Sequence, residues 1–346
     1  MTFLSLVESV LEAVHVRPQA LQIAHIDTLV GRYYPNLSVD RPAVIGPLTG
    51  PTQCEALCRL LALAYPAAHI VQVVDNVGRA APAVQPVALP QLAGVDLSRP
   101  DVLLYVPPLS QTGAVETFQD TVAHLRAPNG CPWDRKQTHR SLRRAFLEEV
   151  YEVLDALDRN DLDNLQEELG DTLLLVLMQA QIGSESGAFQ LSDIVRQVNA
   201  KIVRRHPHVF AGLAVSGVDE VLLNWEAIKR GEKGEREEKP SVLDSVSRSM
   251  PSLARAQSIQ RHVDWMEGID WEADVLLRRV AQSIQALHSA LDAADRRERI
   301  GDLLFDLANL ARRWEIDVEG ALREANNRFE ARFRAWEKAP DPAAVS

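Results

Sequence analysis

The sequence predicts a mainly α-helical protein in which two tandem helical domains follow a small α/β domain. Two observations carry this prediction. Short runs rich in β-branched residues occur within residues 1–108, mixed with helical patterns and with twelve of the nineteen prolines. Beyond residue 115, strand patterns disappear, and apolar residues recur three and four positions apart, as amphipathic helices require.

The α/β domain is predicted over residues 1–108. Its strand-like runs lie at 21–24, 43–46, 69–74 and 102–106, and its helical patterns at about 2–15 and 52–65. Two consecutive prolines, Pro107 and Pro108, mark its end, because proline interrupts both helices and strands.

The helical part divides at a charged segment. Helices are predicted at about 115–126, 139–158, 161–183, 191–205 and 218–230, within a first helical domain of residues 112–230. Residues 231–241 form a charged linker. A second helical domain, residues 242–338, contains predicted helices at about 243–262, 273–293, 295–314 and 316–337.

Composition and charge restrict the class of partner and the compartment. A net charge of −11 disfavours binding to a nucleic-acid polymer, although a nucleotide arriving with magnesium is compatible with it. No apolar run of eighteen residues is present, and the N-terminal segment lacks a basic start, so neither a membrane span nor a signal peptide is expected. The three cysteines, Cys54, Cys58 and Cys131, have no zinc-site spacing and fit a reducing cytoplasm.

Two pairs of carboxylates at helical spacing are the strongest chemical signal. The pairs are Glu149 with Glu152, and Glu168 with Asp171. Residues three apart share a helix face, so antiparallel packing of the two helices would bring all four groups together. Carboxylates that close repel one another unless a cation lies between them, and all-oxygen ligands suit Mg²⁺ or Mn²⁺. The alternative is a solvated acidic face, but the flanking apolar stripes favour a metal site.

A basic segment follows the acidic one. Lys201, Arg204 and Arg205 share one helix face just before Pro207, and guanidinium groups bind phosphate oxygens in pairs. The alternative is a set of surface charges paired with nearby glutamates. Trp225 either stacks on a nucleobase or belongs to the core. The turn carrying Trp133 and Asp134, with the acid as a helix cap, could close one side of a nucleotide pocket.

An internal repeat crosses the linker. Residues 169–174 are echoed by residues 300–305, yet Arg299 stands where the first copy has Glu168. No acidic residue occurs between Asp274 and Asp292, where the first carboxylate pair would be repeated. Because Asp302 alone cannot hold a metal ion, the second copy is predicted to be a scaffold.

Residues 115–338 resemble a tandem MazG-type nucleoside triphosphate pyrophosphohydrolase. The segments that carry the resemblance in the first copy are GCPWDRKQTHRSL (130–142), LEEVYEVLDAL (147–157), EELGDTLLLV (167–176), NAKIVRRHPHVF (199–210) and NWEAIK (224–229). Those in the second copy are MPSLARAQSIQ (250–260), IGDLLF (300–305) and NNRFEARF (326–333).

The resemblance implies two tandem MazG-like all-α domains that form a homodimer and hydrolyse nucleoside triphosphates to the monophosphate and pyrophosphate with Mg²⁺. It implies four metal ligands, Glu149, Glu152, Glu168 and Asp171. Lys201, Arg204 and Arg205 would bind phosphates, and Trp225 would contact the nucleoside. In some tandem members the second copy is active; here it lacks three of four ligands, so activity is assigned to the first copy.

The expected reaction uses a carboxylate as the base that takes a proton from the attacking water. Glu152 is the candidate, with Glu148 as the alternative, while Glu149 acts beside them as a metal ligand. The competing hypothesis is a non-catalytic nucleotide-binding protein that serves as a regulator or scaffold. Two features favour it: the second copy lacks three of the four ligands, and the first domain is short.

Residues 1–108 resemble, more weakly, the C-terminal half of a tetrapyrrole methylase domain. The half that would bind S-adenosylmethionine, with its glycine-rich loops, has no counterpart in the sequence. No methyl transfer is therefore expected from this truncated methylase-like domain.

Overall fold

The computed structural model describes residues 2–48, 50–79, 81–97, 99–234, 241–264, 272–290 and 292–338. The chain divides into two compact units, one formed by Met1–Leu157 with Asp161–Ile194 and the other by Asp158–Asn160 with Val195–Ser346. The predicted fold class is confirmed, since helices dominate and a small mixed sheet lies near the N-terminus. None of the described helices has the length and apolarity needed to cross a membrane.

The first unit begins with a five-stranded sheet. Its elements are, in chain order, α1 (Phe3–Ala13), β1 (Gln22–His25), β2 (Ala43–Gly46), α2 (Pro51–Ala64), β3 (Ile70–Asp75), β4 (Ala83–Ala88) and β5 (Leu103–Val106). The strand order is β1-β2-β5-β3-β4, with β1 and β2 parallel and the other neighbours antiparallel. This mixed sheet lies within the residues predicted to form the α/β domain.

Alternating side chains bury both faces of the sheet. Val44 and Leu103 pack with Val10 of α1, whereas Ile45 and Leu104 pack with Leu57 of α2. Successive side chains of a strand point to opposite faces, so two neighbouring apolar residues serve two different cores. This explains why β2 and β5 are continuous apolar runs without a polar face.

Strand β4 was not predicted. Its sequence, AVQPVA, contains Pro86 and lacks an apolar alternation, and its first four residues are exposed. Proline cannot donate to a neighbouring strand, so it is tolerated at a sheet edge, where β4 lies. Pro86 stands opposite Gln72 of β3.

Three helices complete the first unit around their own core. These are α3 (Val115–Arg126), α4 (Arg143–Arg159) and α5 (Leu162–Glu185). The core contains Val122, Leu142, Leu175, Leu177, Met178 and Ile182. Arg126, whose side chain is buried, pairs with Glu185 at 2.7 Å and also donates to the backbone carbonyls of Asp134 and Gln137. One arginine therefore fixes α3 to α5 and holds the turn that precedes α4.

The remaining helices are α6 (Leu191–Arg205), α7 (Pro207–Phe210), α8 (Val218–Gly234), α9 (Ser252–Val263), α10 (Ala273–His288), α11 (Ala293–Arg313) and α12 (Val318–Lys338).

Two buried glutamine side chains of α9 hold this helix against α11. Gln257 donates to the carbonyls of Ala308 and Ile316, and Gln260 donates to the carbonyl of Phe305 at 2.7 Å. Such bonds satisfy polar groups that would otherwise be costly to bury.

Several helix limits differ from the predicted ones. The helix predicted from 243 begins at Ser252, because Pro251 lacks an N–H and its ring obstructs a preceding turn. The helix predicted from 139 begins at Arg143, after a turn in which Thr138 and Ser141 bond each other's backbone. Helix α8 continues to Gly234, into the predicted linker, whose residues 235–240 lie outside the described residues. The predicted domain limits stay predictions.

Candidate metal and nucleotide site

Carboxylates of α4 and α5 come together because the chain reverses between these two helices. Asn160 has a left-handed backbone with φ of 52°, and the side chain of Asp161 caps α5 by accepting from the N–H of Asn164. Glu152 precedes Asn160 by eight residues and Glu168 follows it by eight. A reversal at the midpoint therefore places the two glutamates opposite each other.

Three acidic side chains come close enough to share one ion. Each of Glu149, Glu152 and Glu168 offers a carboxylate oxygen within 4.8 Å of the other two. Glu149 and Glu168 are half-buried and Glu152 is exposed. Among the residues that the structure describes, this is the one group of three acidic, histidine or cysteine side chains with such spacing.

Asp171 lies outside this group of three. It follows Glu168 by one turn on α5 and is exposed to solvent. Its negative charge nevertheless contributes to raising the pKa of Glu149 and of Glu168. It is therefore an electrostatic neighbour of the group rather than a member.

Burial and repulsion both oppose full ionisation of the group. Burial is the largest cause that raises the pKa of Glu149, followed by the charges of Glu152 and Asp171. Burial is also the largest cause of the raised pKa of Glu168, and the charges of Glu152 and Glu167 raise that pKa further. Because the carboxylates disfavour each other's charge, a cation placed among them would stabilise the ionised form.

The apolar stripes around the acids are less buried than predicted. Leu142, which directly precedes α4, is buried, but Val150 and Leu157 of α4 are 41% and 53% exposed. On α5, the predicted core run of residues 173–178 is buried from Leu175 onward except for partial exposure of Val176, while Leu173 is exposed. The acids therefore lie beside apolar side chains of α4 and α5 that remain exposed.

Glu148, Trp133 and Asp134, the other site residues predicted in the first unit, are not members of the acidic group. Glu148 pairs with Arg144 one turn earlier, at 2.7 Å, and both side chains are exposed. Trp133 is exposed and Asp134 is half-buried. Asp134 begins a single 3₁₀ turn of residues 134–136, and α4 starts only at Arg143, so the prediction that this acid caps a following α-helix is wrong.

The predicted basic residues lie in the second unit. Lys201 is exposed on α6, and Arg204 and Arg205 end that helix. Both arginines pair with Glu232 of α8 at 2.6 Å, and the Arg205 guanidinium lies 5.2 Å from the centre of the Trp225 ring. The alternative weighed from the sequence, pairing with a nearby glutamate, is therefore what the structure has for these two arginines.

Glu232 was not identified from the sequence. The hydrogen bonds from Arg205 and Arg204 lower its pKa to about 2, despite the opposing effect of burial. A signal was present, since Glu232 follows Trp225 by seven residues, which is two helical turns and hence the same face of α8. Glu232 falls instead within the predicted charged linker, residues 231–241.

In the second copy of the repeat, an arginine rather than a proposed metal ion compensates the buried carboxylate of Asp306. A cleft of about 460 Å³ lies between α10 and α11, and Arg279, Ser283, Asp302 and Asp306 are among its lining residues. Asp306 is buried and pairs with Arg279 at 2.7 Å. Burial raises the pKa of Asp306, the arginine opposes this effect, and Asp302 adds to it. A guanidinium thus supplies the positive charge here.

Comparison with known proteins places these features in a family. The profile of the MazG nucleotide pyrophosphohydrolase domain matches residues 137–210, which contain the acidic group and the basic segment. A Thermotoga maritima protein named nucleoside triphosphate pyrophosphohydrolase/pyrophosphatase MazG is 40% identical over 224 residues, covering 64% of this chain and 85% of the relative. The Escherichia coli K12 nucleoside triphosphate pyrophosphohydrolase is 43% identical over 231 residues, covering 65% and 87%.

Two further matches have partial overlap. The uncharacterised protein YabN of Bacillus subtilis is 38% identical over 238 residues, and the match spans 66% of this chain but 48%, about half, of that relative's length. The crystal structure of a mazG-related protein from Thermotoga maritima covers 34% of this chain and 99% of its own, at 30% identity and a TM-score of 0.30. The methylase resemblance of residues 1–108 stays a prediction. The extent and identity of the enzyme matches show that this chain belongs to the MazG family of nucleoside triphosphate pyrophosphohydrolases.

Proposed function

We propose that this chain hydrolyses nucleoside triphosphates between the α- and β-phosphates, releasing the monophosphate and pyrophosphate. The observation that carries the proposal is the group formed by Glu149, Glu152 and Glu168, whose carboxylate oxygens lie within 4.8 Å of one another. The names of the Thermotoga maritima and Escherichia coli relatives support the same reaction.

The donor set fits a hard divalent cation. All three side chains offer oxygen atoms, two of them are half-buried, and the charge of Glu152 helps to raise the pKa of both Glu149 and Glu168. Mg²⁺ prefers such carboxylates, and Mn²⁺ accepts them as well, with Asp171 available to complete the set. When bound, the cation would supply a Lewis acid for phosphate oxygens and a more acidic water.

Glu152 is the proposed base. It is the exposed member of the group, so water reaches its carboxylate while Glu149 and Glu168 are partly shielded. Glu148, the alternative base, has its carboxylate engaged by the Arg144 guanidinium at 2.7 Å. Glu152 would therefore take the proton of the attacking water.

Positive side chains are proposed to bind the triphosphate and the departing pyrophosphate. Lys201 supplies an exposed point charge, and Arg204 and Arg205 supply planar donors. Trp225 offers an aromatic face for the nucleoside. Trp133 and Asp134 are proposed to border the nucleotide site from the turn before α4.

The first helical domain, residues 112–230, is the proposed catalytic one. It contains the acidic group, whereas Arg279 in the second copy already neutralises Asp306. The second domain, residues 242–338, is proposed to act as a scaffold. The proposed location remains the cytoplasm, as the cysteine pattern suggested.

A homodimer is proposed because α4 and α5 leave an apolar face exposed. The exposed side chains on these helices are Leu147, Val150, Tyr151, Leu157, Leu162, Leu169 and Leu173. Clustered apolar surface of this kind in a soluble chain is typical of an interface. A second copy of the chain would cover this face and further shield the neighbouring acids.

Pyrophosphate release from a set of ribo- and deoxyribonucleoside triphosphates, with and without Mg²⁺, tests the proposal. Glu168→Gln should abolish release, while Asp302→Asn, which removes the second copy's counterpart of Asp171, should leave it intact. Nucleotide binding without release would favour the regulatory scaffold instead. If Asp302→Asn lost activity while Glu168→Gln kept it, catalysis would belong to the second copy, and the assignment to the first copy would be wrong.

A further inference from the structure

The geometry points to Glu232 as a positioning residue for nucleotide binding, one that holds the Arg205 guanidinium across the Trp225 ring. The inference rests on the proposed function, because it assigns a task to a residue that supports the nucleotide-binding side chains. Glu232 itself is not proposed to touch the substrate.

The contacts of Glu232 are directed at both arginines. Arg205 donates through Nη2 to one carboxylate oxygen at 2.6 Å, and its Nε lies 3.2 Å from each of the two oxygens. Arg204 donates through Nε to the other oxygen at 2.8 Å. Paired donors of this kind fix the orientation of a guanidinium plane as well as its position.

The pair with Arg205 is shielded, whereas Arg204 is open to solvent. The side chains of Arg205 and Glu232 are 16% and 19% exposed, and that of Arg204 is 54% exposed. A shielded ion pair has a more persistent geometry than an exposed one, because water and salt screen it less. Glu232 therefore constrains Arg205 more strongly than it constrains Arg204.

The ring of Trp225 completes the arrangement. The Arg205 guanidinium carbon lies 5.2 Å from the ring centre, within the range of cation–π attraction. Because Trp225 and Glu232 lie on the same face of α8, one helix contacts the guanidinium through both its ring and its carboxylate. Arg205 on α6 is thus held by two side chains of α8.

The cluster presents basic side chains of the kind that bind anions. In the ion pairs that the structure describes, Glu232 meets two guanidinium groups, and Lys201 lies on the same helix as both arginines. Glu232 therefore orients side chains whose charge and planar donors suit phosphate oxygens.

The test is a double-mutant cycle on Glu232 and Arg205, with kcat and KM measured for the best triphosphate substrate in saturating Mg²⁺. Glu232→Gln keeps the shape and removes the charge, so it should raise KM about tenfold and change kcat less than about twofold. Arg205→Lys should raise KM by a similar factor. The double variant should be no worse than Arg205→Lys, because Glu232 acts through Arg205.

Glu324→Gln is the matched control, since it removes the same charge from an exposed pair with Arg328 on α12 and should leave KM unchanged. Should Glu232→Gln unfold below the assay temperature, Glu232→Asp replaces it and should give an intermediate KM. An unchanged or lowered KM in these Glu232 variants, or additive effects in the double variant, would overturn the inference.

The design separates this inference from the proposed function. If the wild-type protein releases no pyrophosphate, the proposed hydrolysis fails, and the same cycle is measured by calorimetry with α,β-methylene ATP. Weaker binding in Glu232→Gln, without further loss in the double variant, would still support the positioning role. If the wild-type protein is active but Arg205→Lys leaves KM unchanged, the inference fails and the hydrolysis stands.

Discussion

Glu149 of α4 and Glu168 of α5 lie nineteen residues apart in the sequence, and their carboxylate oxygens approach within 4.8 Å. Each is half-buried, and burial is the leading cause of the raised pKa of both side chains. Two acids in such a position destabilise each other when ionised. Their closeness is understandable if a divalent cation compensates them during function.

Mg²⁺ should stabilise the folded protein through this group. We expect Tm to rise with Mg²⁺ concentration in the wild type and to respond far less in Glu168→Gln, because a ligand that binds only the folded state stabilises it. In metal-free buffer, Glu168→Gln should unfold at the same or a higher temperature than the wild type, since one repelling charge is gone. Scanning calorimetry measures both effects, with Asp302→Asn as the control. A full Mg²⁺ response in Glu168→Gln would exclude it as a ligand.

Glu152→Gln should lower kcat by two or more orders of magnitude, about the contribution typical of a general base. Its Tm should remain close to that of the wild type, because the side chain is exposed. Glu148→Gln is the matched comparison and should retain more activity. Pyrophosphate release measures both variants. Near-normal turnover in Glu152→Gln would rule out this residue as the base.

Acid should remove the stabilising effect of Glu232. Its pKa is lowered from 4.5 to about 2 in the folded chain, so the ionised form stabilises the fold above the unfolded-state pKa. This contribution is lost as pH falls from about 4.5 towards 2. We expect the difference in unfolding free energy between wild type and Glu232→Gln to be largest near neutral pH and to shrink in acid. Urea unfolding at several pH values measures it, and a difference independent of pH would contradict the assignment.

Leu162→Lys should weaken self-association. Leu162 begins α5 and is 70% exposed, so lysine costs little in the isolated chain but would be unfavourable in an apolar interface. Sedimentation velocity should show a dimeric wild type and a larger monomer fraction in the variant. Leu4→Lys, at a 65% exposed position of α1, is the control. A monomeric wild type would contradict the proposed dimer.

The helices of the first helical domain were predictable because their periodicity is local. Helices α3, α5, α6 and α8 begin close to the predicted residues, since apolar spacing and caps such as Asp161 act within a few residues along the chain. Strand β4 was missed for the converse reason. Pro86 opposes strand formation locally, and only its position at the sheet edge makes the strand acceptable.

The sequence by itself determined the helical class, the family resemblance and the four acids, because these depend on residue type and on spacing along the chain. The tertiary structure decided which acids meet, leaving Asp171 beside the group formed by Glu149, Glu152 and Glu168. It also decided that Arg205 is held by Glu232, twenty-seven residues later. Distances of this kind arise from the reversal of the chain and the packing of separate helices, which no periodicity within one helix encodes.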